Sequence, residues 1–250
     1  MGEAGGPDGP QKSEAPVPSR PRDRSPGKTL ARREQDALWA EVLSLAAYVE
    51  DAFKTSIAAL HDPRPDLIAA VRAEEDEIDR WEVRIESQCL RVLALYDLVA
   101  SDLRRVVAAL RVNRDLEGLA DLAENLAKRA RKLNRDPASA DYLPGLRDLA
   151  DKSLRAVREG LDALRSMDAD RARAVIEADH EVDLRRVELV GTLKTAIRER
   201  PAQVGAWLRL INSARNLERA ADHATNIAES VVYVKEGVFL RRGNATFHDD

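Results

Sequence analysis

The sequence predicts an all-α protein built from two tandem, internally duplicated three-helix bundles that follow a disordered N-terminal tail. Aromatic residues make up only 4% of the 250 residues, and Ala, Leu, Arg, Asp and Glu dominate, which favours helix over sheet. Apolar residues recur at helical spacing in six long segments between prolines and short polar turns. Two of these segments repeat each other along the chain. Together, the three observations predict six long helices in two related units.

The N-terminal segment has the composition of a tail. Residues 1–28 contain six of the 11 prolines and five of the 12 glycines, with almost no large apolar side chains. Such a segment cannot bury enough surface to offset the entropy that is lost when a chain becomes ordered. Residues 1–34 are therefore predicted to be a disordered, mildly basic tail.

Prolines and helical periodicity divide the rest of the chain. The five remaining prolines fall at the ends of the apolar-periodic segments, as expected for a residue that rarely lies inside a helix. Short connections make consecutive helices antiparallel. Residues 35–138 should form the first bundle, residues 139–241 the second, and residues 242–250 a C-terminal tail. The predicted helices cover residues 35–61, 65–95, 99–134, 143–167, 169–198 and 201–239.

The two bundles are related by a repeat. Residues 114–128 and 215–229, in the third and sixth predicted helices, are identical at eight of fifteen positions, at an offset of 101 residues. The second and fifth helices correspond at an offset of 104 residues, with Glu75-Asp-Glu-Ile-Asp79 aligned to Asp179-His-Glu-Val-Asp183. The core is therefore a duplicated three-helix unit.

Each of these four helices carries two acidic residues four positions apart, which places both on one face of the helix. In an antiparallel hairpin, one helix runs up and the other runs down. Two residues that lie level with each other therefore have residue numbers whose sum is the same at every level. On this basis each hairpin brings four carboxylates to one level if their faces meet. Each pair taken alone is far more typical of a solvated face than of a site. The candidate metal ligands are Glu75, Asp79, Glu117, Asp121, Asp179, Asp183, Glu218 and Asp222.

Four clustered carboxylates repel one another unless a positive charge compensates them. Arg114 and Arg215, each one turn before a glutamate of these pairs, could do so through salt bridges, and a bound cation would have the same effect. Oxygen ligands suit Mg, Ca, Mn, or iron where several carboxylates bridge. His180 and His223 are candidate nitrogen ligands in the second unit only.

Composition excludes several classes of protein. No apolar run approaches the roughly 18–20 residues of a membrane span, and the N-terminus lacks the apolar stretch of a secretory signal. The single cysteine, Cys89, rules out an internal disulfide framework. A formal net charge of −4 argues against a nucleic-acid binder. A cytoplasmic helical protein is the class that remains.

These residues resemble the PhoU family of phosphate-signalling regulators. The resemblance lies in the family's E(D)xxxD motif, which occurs here as Glu117 to Asp121 and again within residues 215–229. The second copy is followed by Val231-Val-Tyr233 and Gly237, similar to the family's C-terminal signature, and residues 100–104 resemble the entry to its third helix. The likeness covers roughly residues 35–241.

The resemblance implies a fold, a metal and a role. Members of the family are two tandem three-helix bundles that carry multinuclear metal clusters on these motifs, with iron or zinc among the metals. Mg or Mn would also suit the oxygen ligands. They are negative regulators of the phosphate regulon that signal between the ATP-binding subunit of the phosphate ABC transporter and a sensor histidine kinase. They are cytoplasmic, peripheral to the membrane, often homodimeric, and without established enzymatic activity, so no catalytic residue is assigned.

Two departures separate the copies. Gly118 stands where the second copy has Arg219, and a glycine inside a helix costs about 1 kcal/mol relative to alanine. Thr225 stands where the first copy has Glu124. These differences weaken the expectation that both bundles bind metal equally.

Two other functions fit the same residues less well. A carboxylate-bridged di-metal oxidase normally adds Glu-x-x-His pairs on two helices, and neither motif contains one. A purely structural helical scaffold predicts that replacing Glu218 and Asp222 with alanine changes only the surface charge.

Overall fold

The computed structural model describes residues 26–238 and residue 240, with side chains from Thr29 onward. The described residues are mostly helical and include no strand, which confirms the all-α prediction. Short 3-10 turns at Pro137–Ser139 and Pro201–Gln203 precede the fourth and sixth long helices. The six long helices are α1 (Pro26–His61), α2 (Pro65–Leu95), α3 (Ala100–Arg135), α4 (Leu143–Ser166), α5 (Ala169–Glu199) and α6 (Val204–Glu236).

Local sequence signals set most of the helix ends. Pro65 occupies the first turn of α2, where a missing N–H leaves no intrahelical hydrogen bond unmade. Met167 ends α4 in the left-handed conformation at φ 48°, and the Asp168 carboxylate then caps α5 by accepting the Asp170 N–H at 3.0 Å. Gly237, at φ 75°, ends α6 three residues before the predicted limit.

The predicted start of α1 is wrong. The helix begins at Pro26 rather than at residue 35, so residues 26–34 belong to α1 and not to a disordered tail. Ala31 and Gln35, one turn apart, are both buried, and Glu34 forms an ion pair with Arg91 of α2 at 3.3 Å. Tertiary contacts therefore carry the helix into a segment that composition alone assigned to the tail. Residues 1–25 and the predicted C-terminal tail, 242–250, lie outside the described part of the chain.

The two three-helix units pack against each other through α3 and α6, and through α1 and α4. Helices α3 and α6 are antiparallel: Asp136, just after α3, pairs with Arg209 near the start of α6, whereas the Arg111 guanidinium lies 5.2 Å from the Tyr233 ring centre near the end of α6. The buried side chains of both units form one continuous hydrophobic core. Within the described residues, no helix has an apolar stretch of the length needed to cross a membrane.

Gly160 lies where α4 packs directly against the backbone of α6. A Cβ at this position would lie 2.9 Å from the Ala224 carbonyl oxygen and 3.1 Å from the Ala224 Cβ. Gly191, inside α5, has no atom within 4 Å of the equivalent point. The two glycines therefore have different reasons for their place inside a helix, because only Gly160 is required by packing.

We expect Gly160→Ala and Gly191→Ala to have opposite effects. The first should lower the free energy of unfolding by about 1–3 kcal/mol, because a backbone carbonyl must move to admit the methyl group. The second should raise it by about 0.5–1 kcal/mol through helix propensity alone. Urea unfolding followed by circular dichroism measures both, and an equal gain in stability for the two variants would contradict the described packing of α4 on α6.

Candidate functional site

The first bundle brings acidic side chains of α2 and α3 together. Burial raises the pKa of Glu117, and the negative charges of Asp121, Glu82 and Asp79 raise that pKa further. Burial likewise raises the pKa of Glu82, with added repulsion from its neighbours Glu86, Asp79 and Asp121. The predicted ligands Asp79, Glu117 and Asp121 are therefore close enough to interact, as the hairpin geometry required.

Glu82 is a member of this group that the motif search did not single out. It lies three residues after Asp79, so the two residues share a face of α2. Its backbone is fixed against α3, because the buried Asn113 side chain donates a hydrogen bond to the Glu82 carbonyl oxygen at 3.0 Å. A search for pairs four residues apart misses it, whereas the three-residue spacing would have found it.

Glu75 faces Glu124 rather than Asp121. A hydrogen bond between two carboxyl groups requires a proton on one of them. The hydrogen bond with Glu124 is the largest cause of the raised pKa of Glu75. Burial raises the pKa of Glu124, but the hydrogen bonds of Glu124 with Lys128 and Glu75 outweigh burial, so that its pKa is lowered overall. The contact thus raises the pKa of Glu75 and lowers that of Glu124. Glu124 is also paired with Lys128 and lies 3.9 Å from Arg72, so this end of the group has its own cations.

The second bundle replaces two of these acids. Arg186 occupies the position that corresponds to Glu82, and its Nε lies 3.5 Å from Glu218 Oε1, an ion pair longer than a hydrogen bond. Thr225 occupies the position of Glu124, and its hydroxyl lies 3.0 Å from Asp179 Oδ1, to which it can donate. Asp183 and Asp222 are partly buried on α5 and α6. This bundle thus contains a built-in positive charge where the first has another carboxylate.

The candidate histidines have different surroundings. His180 is exposed on α5, and its Nδ1 lies 2.7 Å from the Glu177 carbonyl oxygen of the same helix. His223 lies between α6 and α3, where its Nδ1 is 2.9 Å from Asp115 Oδ1. The His223 ring fits here because residue 118 is a glycine: a Cβ at this position would lie only 2.6 Å from His223 Cε1.

The candidate arginines Arg114 and Arg215 are both exposed. The arginine placed 3.5 Å from Glu218 is Arg186 of the neighbouring helix, a residue that the spacing of the motif did not indicate. An alignment of the two copies of α2 and α5 would have revealed it, because Arg186 is the basic counterpart of an acidic residue.

Within the described part of the chain, no three His, Cys, Asp or Glu side chains are arranged so that they could hold a metal ion. Metal binding by the eight predicted carboxylates therefore stays a prediction. The donor set of the first bundle nonetheless suits a hard cation, since its carboxylates, of which Glu82 and Glu117 are partly buried, repel one another and offer only oxygen. The second bundle suits one less well, because Arg186 already supplies positive charge beside Glu218.

The raised pKa of Glu117 predicts a pH-dependent change in stability. A carboxyl whose folded-state pKa is raised makes folding less favourable when it is ionised, so the penalty is full above that pKa and vanishes below the unfolded-state value. We expect Glu117→Gln to raise the free energy of unfolding at neutral pH, and this gain should disappear in acid.

Glu218→Gln is the matched control in the second bundle, because it removes the partner of Arg186 instead of a repulsive charge. It should leave stability unchanged or lower it at neutral pH. Urea unfolding at several pH values measures both variants, and equal gains would show that the two bundles do not differ in electrostatics.

Comparison with known proteins places this geometry in a family. The model of the PhoU domain matches residues 42–130 and 146–231, one match in each bundle. A phosphate-specific transport system accessory protein PhoU homolog of Pseudomonas aeruginosa is 33% identical over 208 residues, which cover 83% of this chain and 86% of the relative. The homolog of Zymomonas mobilis is 33% identical over 213 residues and covers 84% and 90% of the two chains.

Solved structures show the same fold. The crystal structure of PhoU from Pseudomonas aeruginosa matches with a TM-score of 0.78 and 32% identity, covering 82% of this chain and 99% of that one. A phosphate transport system regulatory protein PhoU from Streptococcus pneumoniae matches with a TM-score of 0.74 at 23% identity, a likeness of fold alone. With one PhoU domain in each bundle and relatives this similar over most of their length, the chain belongs to the PhoU family.

Proposed function

We propose that this protein is an accessory regulator of phosphate-specific transport and a negative regulator of phosphate-regulon signalling. The supporting observation is its membership of the PhoU family through both bundles, together with relatives named as accessory proteins of phosphate-specific transport. It acts by contact with other proteins and not by turnover, and we assign no catalytic residue. An oxidase is not favoured, because it normally needs Glu-x-x-His pairs on two helices and the sequence contains one, Glu177 to His180.

The proposed partners are the ATP-binding subunit of the phosphate ABC transporter and a sensor histidine kinase. The protein would bind them at the cytoplasmic face of the membrane.

Exposed apolar side chains at the connection between α2 and α3 support a docking role. Leu95, Val99 and Leu103 are 63%, 55% and 44% exposed, and Val204 and Leu208 are exposed at the corresponding end of the second bundle. Grouped exposed apolar residues are typical of contact surfaces. A homodimer is part of the same proposal.

The metal site is proposed for the first bundle. Glu75, Asp79, Glu117 and Asp121, joined by Glu82, would hold a divalent or multinuclear metal such as iron, zinc, manganese or magnesium. A bound cation would supply the positive charge that lets these ionised carboxylates lie close together, and it would link α2 to α3. The second bundle, with Asp179, Asp183, Glu218 and Asp222, would bind metal more weakly, because the Arg186 guanidinium competes for Glu218.

Cross-linking in the native cells tests the function. Tagged protein, expressed at its natural level, is cross-linked and purified from cells grown in ample and in limiting phosphate. We expect mass spectrometry to recover the transporter ATPase subunit or a sensor kinase, in amounts that change with phosphate. Recovery of neither under both conditions would contradict the proposal.

Two variants locate the contact. Leu103→Asp changes an exposed residue in the apolar group at the α2–α3 connection, whereas Val83→Asp changes a residue that is 65% exposed in the middle of α2. Both should fold normally, since surface substitutions rarely change stability by more than about 0.5 kcal/mol. We expect Leu103→Asp to reduce recovery of the partner and Val83→Asp to leave it unchanged.

A further inference from the structure

Five cationic residues belong to the stretches of α3 and α6 that lie level with each other in one half of the contact between these helices. Two observations set the register of the helices here. Asn216, with its amide turned so that both of its polar atoms are satisfied, accepts a hydrogen bond from Arg129 at 2.8 Å, and Arg209 pairs with Asp136 further along. The two helices are antiparallel, so the C-terminal half of α3 lies beside the N-terminal half of α6. The basic cluster consists of Lys128, Arg129, Lys132, Arg215 and Arg219.

The internal repeat shows that this charge is not needed for the helices to pack. At an offset of 101 residues, the other half of the same contact has one arginine, one glutamate and three uncharged residues at the corresponding positions. That half packs through the same two helices, with His223 of α6 lying over Gly118 of α3. Packing of α3 against α6 therefore does not explain the positive charge of the basic cluster. The five counterparts are Glu229, Ser230, Tyr233, Arg114 and Gly118.

Most of these cations lack a carboxylate partner. Lys128 pairs with Glu124, and Arg129 contacts an uncharged amide. Among the described residues, no acidic side chain lies within ion-pair distance of Lys132, Arg215 or Arg219, and all three are exposed. Lys128 and Lys132, and likewise Arg215 and Arg219, are like charges four residues apart on one helix, a spacing that is destabilising. An anion bound between the two rows would be stabilising.

The neighbouring carboxylates limit the shape of that anion. Asp121 shares a stripe of α3 with Lys128 and Lys132, and Asp222 shares a stripe of α6 with Arg215 and Arg219. A membrane or a nucleic acid laid over the basic cluster would also cover these acids and be repelled by them. A compact anion would meet the cations alone.

Guanidinium groups bind phosphate through paired hydrogen bonds, and an ammonium group adds a point charge. Packed helices lie roughly 8–10 Å apart, a distance that a chain of two or three phosphoryl groups can bridge. We propose that the basic cluster binds a compact, multivalent phosphate anion, a di- or triphosphate chain, with Arg215 and Arg219 on one side and Arg129 and Lys132 on the other. The proposal is independent of the regulatory role, because purified protein tests it.

Isothermal titration calorimetry with sodium tripolyphosphate tests the site in the full chain. We expect binding that weakens as ionic strength rises, and much weaker binding of single inorganic phosphate. The double variant Arg215→Gln/Arg219→Gln should bind at least about tenfold more weakly. The control Arg111→Gln/Arg114→Gln removes the same number of charges from the other half of the contact and should stay within about threefold of the unchanged protein. Circular dichroism checks that both variants fold.

Three results would overturn the proposal. Absence of tripolyphosphate binding at low salt would do so, as would an equal loss in the two double variants, which would show a non-specific charge effect. Binding to vesicles of anionic phospholipid, or to polyglutamate, at least as tight as binding to tripolyphosphate would assign the basic cluster to a membrane surface or to an acidic protein instead.

Discussion

The antiparallel packing of α3 against α6 is the contact on which the arrangement of this protein depends. It joins two three-helix units that are copies of each other and places both acidic motifs on central helices. Gly118 lies in this contact, where a Cβ would meet the His223 ring. A glycine costs about 1 kcal/mol inside a helix. Here it lets the ring reach Asp115 of α3, so a residue that weakens its own helix strengthens the contact between the bundles.

Duplication gave the two bundles the same backbone, and later substitution gave them different electrostatics. In the first bundle, partly buried carboxylates of α2 and α3 raise one another's pKa. In the second, Arg186 and Thr225 replace two of the acids and provide an ion pair and a hydroxyl contact. The negative charge of the first bundle would be compensated by an added cation. In the second bundle, the Arg186 guanidinium already compensates part of the negative charge.

Much of this fold could be predicted from the sequence because long amphipathic helices have a strong period and prolines mark their ends. The bounds of α2 to α5 agree with the prediction to within one residue. The start of α1 could not be predicted, because the burial of Ala31 and Gln35 depends on helices far along the chain.

The site was predicted in part. The spacing of the acidic pairs led to Asp79, Glu117 and Asp121, which do lie close enough to interact, and their role as ligands stays a prediction. Glu82 and Arg186 were missed because they lie three residues from the pairs and not four. The contact between Asp115 and His223 joins the two bundles, and nothing in either repeat specifies how the bundles pack. Contacts between helices of different units are therefore the information that one sequence does not carry.

The most direct test of the difference between the bundles is the number of Mn²⁺ ions bound by chelator-treated protein, measured by electron paramagnetic resonance of the free ion. The account predicts that Glu117→Gln/Asp121→Asn removes the tighter Mn²⁺ binding and that Glu218→Gln/Asp222→Asn preserves it. Arg186→Glu, which restores the acidic residue of the first copy, should strengthen binding in the second bundle. Loss of Mn²⁺ from the Glu218→Gln/Asp222→Asn variant alone, or no gain with Arg186→Glu, would contradict it.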